Sequence, residues 1–140
     1  MVNEIAEQLR PVVMRLSREL RREVRPLGVT AGQVSLLFAI NRKPGTGVRE
    51  LALHERMSAA GMSRHVTRLV ELGLLRREGD PRDARRHGLH VTPEGERILR
   101  QVKSRRTAWL ASRLRTLSGD ELEAIRNALA PLGRLMEAEV

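Results

Sequence analysis

The segment Leu72–Thr92 constrains the fold of this chain most, because two short apolar stretches in it enclose an arginine-rich connection. Leu74 and Leu75 begin the first stretch, and Leu89 and Val91 alternate with a polar residue in the second. Short stretches of this kind predict two β-strands, and strands so close in sequence pair as a hairpin. We therefore expect a small antiparallel hairpin directly after a helix.

The connection between the two strands is longer than a hairpin requires. Two residues suffice to reverse the chain, and Gly79, Asp80 and Pro81 supply the turn chemistry. The remaining length predicts a protruding loop, and a small domain gains no stability from like charges concentrated there. A polyanionic partner would account for them. The arginines of this connection are Arg76, Arg77, Arg82, Arg85 and Arg86.

Composition narrows the class of protein. A chain of 140 residues is long enough for one domain with a real core. A net charge of +9 is typical of proteins that contact nucleic acids or anionic membrane surfaces. Nearly all of the basic residues are arginines, which suit phosphates and guanine edges. An arginine-rich composition also arises in GC-rich genomes, so it supports this interpretation only weakly.

Cysteine is absent from the sequence, which excludes disulfides, thiol switches and cysteine-based zinc sites. The first residues contain no apolar signal region, and no apolar run approaches the roughly 18 residues that a membrane helix needs. We therefore expect a cytoplasmic protein that has no membrane partner.

Hydrophobic periodicity predicts two helices at the start of the chain. Apolar residues from Ile5 to Leu20 recur at three- and four-residue steps, which indicates a long amphipathic helix that ends before Pro26. A Thr30-x-x-Gln33 capping box then opens a second helix. The residues of the second helix that we expect to face inward are Val34, Leu37 and Phe38.

Two shorter helices follow, one from Val48 to about Glu55 and one from Ser58 to about Leu72. Ser58 is the predicted N-cap of the second of these helices. A buried stripe on that helix would leave its opposite side in solvent, where small residues permit close approach to DNA and arginines reach guanine or phosphate. The buried stripe consists of Met62, Val66 and Leu69. The opposite side carries Ala59, Ala60, Ser63, Arg64, Thr67 and Arg68.

Two more helices are predicted after the hairpin. Thr92 and Pro93 start the fifth helix, which runs to about Leu117, and a Ser118-x-x-Glu121 capping box starts the last one. The apolar stripes of the first and last helices exceed what the small central module can cover, so we expect them to pack on a second copy of the chain. The stripe of the last helix consists of Leu122, Ile125, Leu129, Leu132 and Met136.

The chain resembles the MarR family of bacterial winged helix-turn-helix regulators over essentially its whole length. The likeness rests on the stretch VRELALHERMSAAGMSRHVTRLVELGLLRREGDPRDARRHGLHVTPEG. This stretch combines a helix-turn-helix ending in LVELGLL, a wing of the form D-x-R-D-x-R from Asp80 to Arg85, and a closing LHVTPEG. Each piece alone is moderately specific, and together in this order they are highly so.

This resemblance implies a mainly α fold with a small β-hairpin wing, in the order α-α-α-α-β-β-α-α. It implies one domain over residues 1–140, with dimerisation helices in 1–29 and 93–140 and the winged helix-turn-helix module in 30–92. It also implies a transcriptional regulator, often a repressor released by a small molecule, that needs no cofactor. Such a homodimer binds an inverted repeat in double-stranded DNA, with recognition helices in successive major grooves and wing arginines in the minor groove.

Carried over to this sequence, the resemblance implies a set of DNA-binding residues on the recognition helix and on the wing. Asp80 and Asp83 would brace the wing arginines, since a neighbouring carboxylate can orient a guanidinium. The family pattern leaves open whether Arg82 or Arg85 enters the minor groove, and we favour Arg82 because it lies nearer the expected tip. The implied DNA-binding residues are Ser58, Ala59, Ala60, Ser63, Arg64, Arg68, Arg82, Arg85 and Arg86.

Simpler roles compete for several of these residues. Ser58 can be a helix cap and nothing more, Arg68 can pair with Glu71 or phosphate, and Asp80 can be a turn former beside Pro81. Arg64 can contact either the edge of a base or a phosphate, and the sequence favours neither contact over the other.

Other classes of function find little support in the sequence. His87 and His90 would point to opposite faces of a strand, and the other histidines, His54 and His65, add no metal-binding motif, so we expect no metal site. No catalytic motif occurs, so we expect no enzyme. A nucleoid-type architectural protein of low sequence specificity remains an alternative, as does a module that binds protein or RNA, although scarce aromatics argue against base stacking.

An effector pocket, if the protein has one, is expected between the wing-bearing module and the dimerisation helices. Family geometry places it near Met14, Arg18, Phe38 or His54.

Overall fold

The computed structural model describes residues 1–137, except the side chains of residue 80 and of residues 84–86. It has the predicted order of six helices and two strands, with one added 3-10 turn at Arg25–Leu27. The helices are α1 (Val2–Arg22), α2 (Ala31–Arg42), α3 (Val48–His54), α4 (Ala59–Glu71), α5 (Pro93–Leu114) and α6 (Gly119–Glu137). The strands are β1 (Leu75–Asp80) and β2 (Asp83–Val91). The mainly α fold with a hairpin wing is thus confirmed.

The described residues form two compact units, one from Met1 to Arg105 and one that begins at Arg106. The first contains α1 to α4, the hairpin and the first half of α5, while the second contains the end of α5 and α6. The finer division into residues 1–29, 30–92 and 93–140 stays a prediction.

Side-chain caps fix the helix starts that the sequence predicts. The Thr30 hydroxyl accepts a hydrogen bond from the Gln33 amide at 3.0 Å, and the Gln33 side chain accepts one from the Thr30 amide at 2.9 Å. Ser118 and Glu121 form the same reciprocal pair before α6. The hydrogen bond from the Ser118 amide is also the main reason why the pKa of the Glu121 carboxyl is lower than its usual value. Each cap satisfies amides that a helix leaves without internal partners.

The core of the first unit lies among α2, α3, α4, the base of the hairpin and α5. The predicted inward residues Val34 and Leu37 are fully buried, and Phe38 is half-buried against the same core. Burying aliphatic side chains of this kind contributes about 1.5–3 kcal/mol each. The other members with the least exposure are Val24, Ile40, Met62, Val66, Leu69, Leu75, Leu89 and Val102.

The hairpin differs from the long loop that the sequence predicts. Its strands extend to Asp80 and Asp83, so only Pro81 and Arg82 form the connection, and the register shifts between Gly79 and Asp80. The prediction of a long loop was wrong. It assumed that a strand alternates apolar and polar residues, and this pattern arises only where one face of the strand is buried. In the outer part of this hairpin the described side chains are exposed, and the two strands are paired through backbone hydrogen bonds without an apolar face.

The base of the hairpin is held against the connection between α2 and α3. The Gly45 amide donates to the Leu89 carbonyl at 2.9 Å, and the Leu89 amide donates to the Thr46 carbonyl at 2.8 Å. A Cβ atom on Gly88 would lie 2.9 Å from the Gly45 carbonyl oxygen. This close approach of two backbones explains why a residue without a side chain occupies position 88.

α5 begins where predicted and ends earlier. The Thr92 hydroxyl accepts from the Gly95 amide at 3.1 Å, which caps the helix just before Pro93. The helix ends at Leu114, three residues before the predicted Leu117, because the chain leaves the helix in a short turn ahead of the next capping box.

The first and last helices expose large apolar side chains. On α6, all five residues of the predicted stripe are between 38% and 88% exposed. On α1, Ile5, Val12 and Leu16 are exposed as well. None of the helices described over residues 1–137 is both long enough and apolar enough to cross a membrane.

Candidate nucleic-acid interface

α4 has one buried face and one exposed face, as the sequence predicts. Met62, Val66 and Leu69 are completely buried and fix the rotation of the helix about its axis. The six residues predicted on the opposite side are therefore all exposed, namely Ala59, Ala60, Ser63, Arg64, Thr67 and Arg68. We call these six residues the recognition face.

Ser58 is the N-cap of α4. Its hydroxyl oxygen accepts a hydrogen bond from the Gly61 amide at 3.0 Å, so the capping interpretation is confirmed. The hydroxyl proton remains a donor for a phosphate oxygen at this exposed position. A DNA contact from Ser58 is therefore compatible with its role as a cap and stays a prediction.

The two arginines of the recognition face differ in their local partners. The Arg68 guanidinium lies 3.6 Å from the Glu71 carboxylate, which is the pairing that competed with a DNA contact. Within the described part of the chain, no acidic side chain pairs with Arg64. Among the described residues, a DNA contact from Arg64 would cost no ion pair, whereas one from Arg68 would compete with Glu71.

The wing carries the remaining predicted contacts. Arg82 is exposed and lies in the two-residue turn at the tip, whereas Arg85 belongs to β2. Asp83 is exposed and follows the turn directly. The side chains of Asp80, Arg85 and Arg86 lie outside the described residues, so their roles stay predictions.

The base of the wing carries Arg77, which the sequence places among the arginines of the hairpin but which is not among the implied DNA-binding residues. Arg77 on β1 donates a hydrogen bond from Nη2 to the Thr67 hydroxyl on α4, over 3.1 Å. This bond joins the wing to the recognition face across ten residues of sequence. No local pattern signals such a contact, because it depends on how β1 packs beside α4.

A cleft of about 1200 Å³ lies between α3, α4 and the wing. Its lining includes Arg49 on α3, Ser63 on α4, and Arg77 and His87 on the wing. A typical small-molecule pocket has about 300–1,000 Å³, and this cleft is open and bears several hydrogen-bond donors. Its chemistry suits an extended anionic chain such as a sugar-phosphate backbone.

Glu78 is an acidic residue of the same cleft and is held within the wing. It accepts a hydrogen bond from Arg76 Nη1 at 2.7 Å and lies 3.3 Å from His90 Nε2. The hydrogen bond and positive charge of Arg76, and then His90, keep the pKa of the Glu78 carboxyl below its usual value. Arg76 is therefore occupied inside the wing, in contrast to Arg77, whose partner is a neutral hydroxyl.

The four residues suggested for an effector pocket lie in different surroundings. Met14 is exposed, Phe38 is half-buried with the Lys103 ammonium 5.8 Å from its ring centre, and His54 lies 3.5 Å from the Glu55 carboxylate. Arg18 lines a cleft of about 570 Å³ between α1 and the start of α2, and the other three do not line it. The histidines join no metal-binding cluster in the part of the chain that the structure describes.

Comparison with known proteins identifies the architecture. A family model described as the MarR family matches residues 27–86. An uncharacterized HTH-type transcriptional regulator of Mycobacterium leprae is 32% identical over 89% of this chain and 87% of its own length. BilQ, an HTH-type transcriptional regulator of Clostridium symbiosum, is 28% identical over 84% of this chain and 82% of its own length.

Solved structures of transcriptional regulators have the same fold as this chain. A transcriptional regulator protein from Pseudomonas aeruginosa superimposes with a TM-score of 0.85 at 31% identity, over 97% of this chain and 96% of that one. A mutant of S. aureus MepR bound to an oligodeoxyribonucleotide shares the fold, with a TM-score of 0.71 at 18% identity over 94% and 96% of the two chains. The chain therefore belongs to the MarR family of winged helix-turn-helix, DNA-binding transcription regulators.

Proposed function

We propose that this regulator is a homodimeric repressor that binds an inverted-repeat operator and is released by a small molecule. The observation that carries the proposal is the recognition face, which presents Ser63 and Arg64 to solvent beside a wing tipped by Arg82. A helix of this kind fits the major groove, where arginine distinguishes guanine from the other bases. The wing then reaches the flanking minor groove, whose negative potential favours a guanidinium.

Each protomer contributes one recognition face, so a two-fold dimer reads two half-sites of opposite orientation. We expect half-site centres about 10 base pairs apart, or a small multiple of that distance. An operator occupied in this way is closed to other proteins, which makes repression the proposed output. The DNA-bound state of the MepR mutant supports DNA as the partner of this fold.

The phosphate contacts are assigned to residues around the wing cleft. Arg77 is oriented by Thr67, and Arg49 on α3 and Ser63 on α4 line the same cleft. Arg64 is assigned to a base edge, whereas Arg68 is assigned to a phosphate because Glu71 already lies beside it. Arg82 is assigned to the minor groove, with Arg85 and Arg86 as further wing contacts and Asp80 and Asp83 as braces.

Release by a small molecule is proposed to involve the cleft that Arg18 lines. Arg18 lines a cleft between α1 and α2, and a guanidinium there offers a donor fork to a carboxylate or phosphate group. Met14, Phe38 and His54 remain the other candidates for contacts with an effector.

Genomic binding-site sequencing with the purified protein tests the proposed function. We expect a discrete set of sites that share an inverted repeat near promoters. Uniform, salt-dependent coverage of the genome would instead indicate a nucleoid-type architectural protein.

Dimerisation through α6 predicts a strong effect of Leu129→Glu. Leu129 is 61% exposed on the apolar stripe, and a carboxylate buried between two copies would be costly. We expect the wild-type protein to sediment as a dimer at micromolar concentration and the variant as a monomer. Operator affinity should fall by about 10²–10⁴-fold, because the two half-sites are no longer bound by linked modules.

The matched control places the same charge on the other side of α6. Asn127 is exposed and lies opposite the stripe at helical spacing, so Asn127→Glu should leave both the dimer and DNA binding intact. A wild-type protein that sediments as a stable monomer would contradict the dimer.

Arg82→Ala tests the wing. Removing this cation from both protomers should weaken operator binding and reduce the slope of log affinity against log salt by about 1.8, since each cation that binds the duplex neutralises one phosphate charge and releases counterions worth roughly 0.9 of slope. The loss should be larger on operators with A·T-rich flanks, where the minor groove is narrow. An unchanged salt slope in filter-binding titrations would place Arg82 away from the duplex.

A further inference from the structure

The turn between α3 and α4 contains a residue in a conformation that its side chain disfavours. Arg56 has φ +55°, and it is the only non-glycine residue with positive φ in the described backbone. Side chains disfavour this left-handed region because Cβ crowds the following carbonyl oxygen. Arg56 therefore holds a position at which glycine would be more stable.

The local hydrogen bonds show why the position requires positive φ. The Met57 amide donates to the Ala52 carbonyl at 2.9 Å, and the Arg56 amide donates to the Leu53 carbonyl at 3.3 Å. These two bonds form a Schellman motif, which ends a helix through one left-handed residue. The motif turns the chain sharply from α3 into the capping residue of α4.

The same chain ends α4 with the same motif and uses glycine. There the Leu74 amide donates to the Leu69 carbonyl at 3.0 Å, the Gly73 amide donates to the Val70 carbonyl at 2.9 Å, and Gly73 has φ +77°. Gly73 and Arg56 thus occupy equivalent positions in two copies of one motif. Backbone geometry therefore does not explain why arginine, and not glycine, occupies position 56.

The side chain of Arg56 also has no polar partner within the described part of the chain. It is exposed, and among the described residues neither an ion pair nor a side-chain hydrogen bond involves it. Arg56 lies two residues before Ser58, the cap at which the recognition face begins. A long cationic side chain at the entrance to a recognition helix lies beside the path of the DNA backbone.

We propose that Arg56 binds a backbone phosphate of operator DNA next to the start of the recognition face. The proposal rests on the proposed function, since it assumes that α4 enters the major groove. The left-handed conformation of Arg56 is retained because the guanidinium gains a phosphate contact that glycine could not make. Arg56 therefore strengthens binding without reading sequence.

Glycine and asparagine at position 56 test the proposal, because both tolerate positive φ and neither carries a charge. We expect Arg56→Gly and Arg56→Asn to have an unchanged or higher melting temperature, by up to about 4 °C. Their affinity should fall by roughly 3- to 30-fold, equally for operator and scrambled DNA, and the salt slope should fall by about 1.8 per dimer. Arg56→Lys should retain affinity within about threefold.

Arg100→Gln is the matched control, because it removes an exposed cation from α5, which belongs neither to the recognition face nor to the wing. Its salt slope should remain that of the wild-type protein. If the glycine and asparagine variants bind the operator as tightly as the wild-type protein, or if they lose thermal stability, Arg56 only stabilises the end of α3 and the proposal is wrong. A wild-type protein that itself prefers no sequence would contradict the proposed function and not the phosphate contact.

Discussion

Replacing Arg64 by alanine should weaken operator binding by about 2–6 kcal/mol per dimer, which corresponds to 1–3 kcal/mol for a guanine contact in each half-site. Arg64 is exposed on the recognition face and has no acidic partner among the described residues, so its loss disrupts no ion pair there. The fold should be unaffected because the buried stripe of α4 is untouched. Titration of operator and scrambled DNA with the variant measures both affinity and specificity.

The comparison between the two DNAs decides what Arg64 does. A base contact predicts that the operator loses far more affinity than scrambled DNA, and that selection with the variant tolerates other bases at one position of each half-site. Arg68→Ala is the matched control, because Arg68 lies on the same face beside Glu71 and is assigned to a phosphate. Equal losses on both DNAs for Arg64→Ala would assign Arg64 to a phosphate as well.

Gly95→Ala should destabilise the protein by about 3 kcal/mol and lower its melting temperature by roughly 10 °C. Gly95 lies in the first turn of α5, where an added Cβ atom would be 2.4 Å from the Leu74 carbonyl oxygen and 2.6 Å from Val91 Cγ1. The Leu74 carbonyl cannot move away freely, because it accepts a hydrogen bond from the Thr92 amide at 3.1 Å. Relief of the clash would separate α5 from the base of the wing.

Thermal unfolding followed by circular dichroism measures this effect. Gly32→Ala is the control, because Gly32 is an exposed helical residue whose added Cβ would come no closer than 3.9 Å to another group. That substitution should be neutral or should stabilise by up to about 1 kcal/mol, owing to the higher helix propensity of alanine. A Gly95→Ala protein that melts within 2 °C of the wild type would show that this junction adapts at little cost.

The helical part of the fold could be predicted from local sequence because its signals are local. The Thr30–Gln33 and Ser118–Glu121 capping boxes span four residues each, and both form as expected. The rotation of α4 could be predicted for the same reason, since three buried residues at helical spacing define the opposite face. The family resemblance added the roles of these elements, which periodicity alone does not provide.

The parts that could not be predicted depend on contacts between distant residues or on conformations that sequence does not mark. The outer strands of the wing lack apolar alternation, so they were interpreted as a loop. Arg77 meets Thr67 only because β1 packs beside α4. The left-handed conformation of Arg56 has no sequence signal, because the residue that normally marks it is glycine, as at Gly73.

The most direct test of sequence-specific regulation is the affinity ratio between an operator recovered from genomic binding and a scrambled duplex of the same length and composition. Both affinities are measured at physiological salt, because non-specific binding depends steeply on ionic strength. A winged helix-turn-helix regulator predicts a ratio of about 10³ or more, with the recovered operator containing an inverted repeat. A ratio near one would contradict specific recognition and would leave a basic protein that binds DNA through its charge alone.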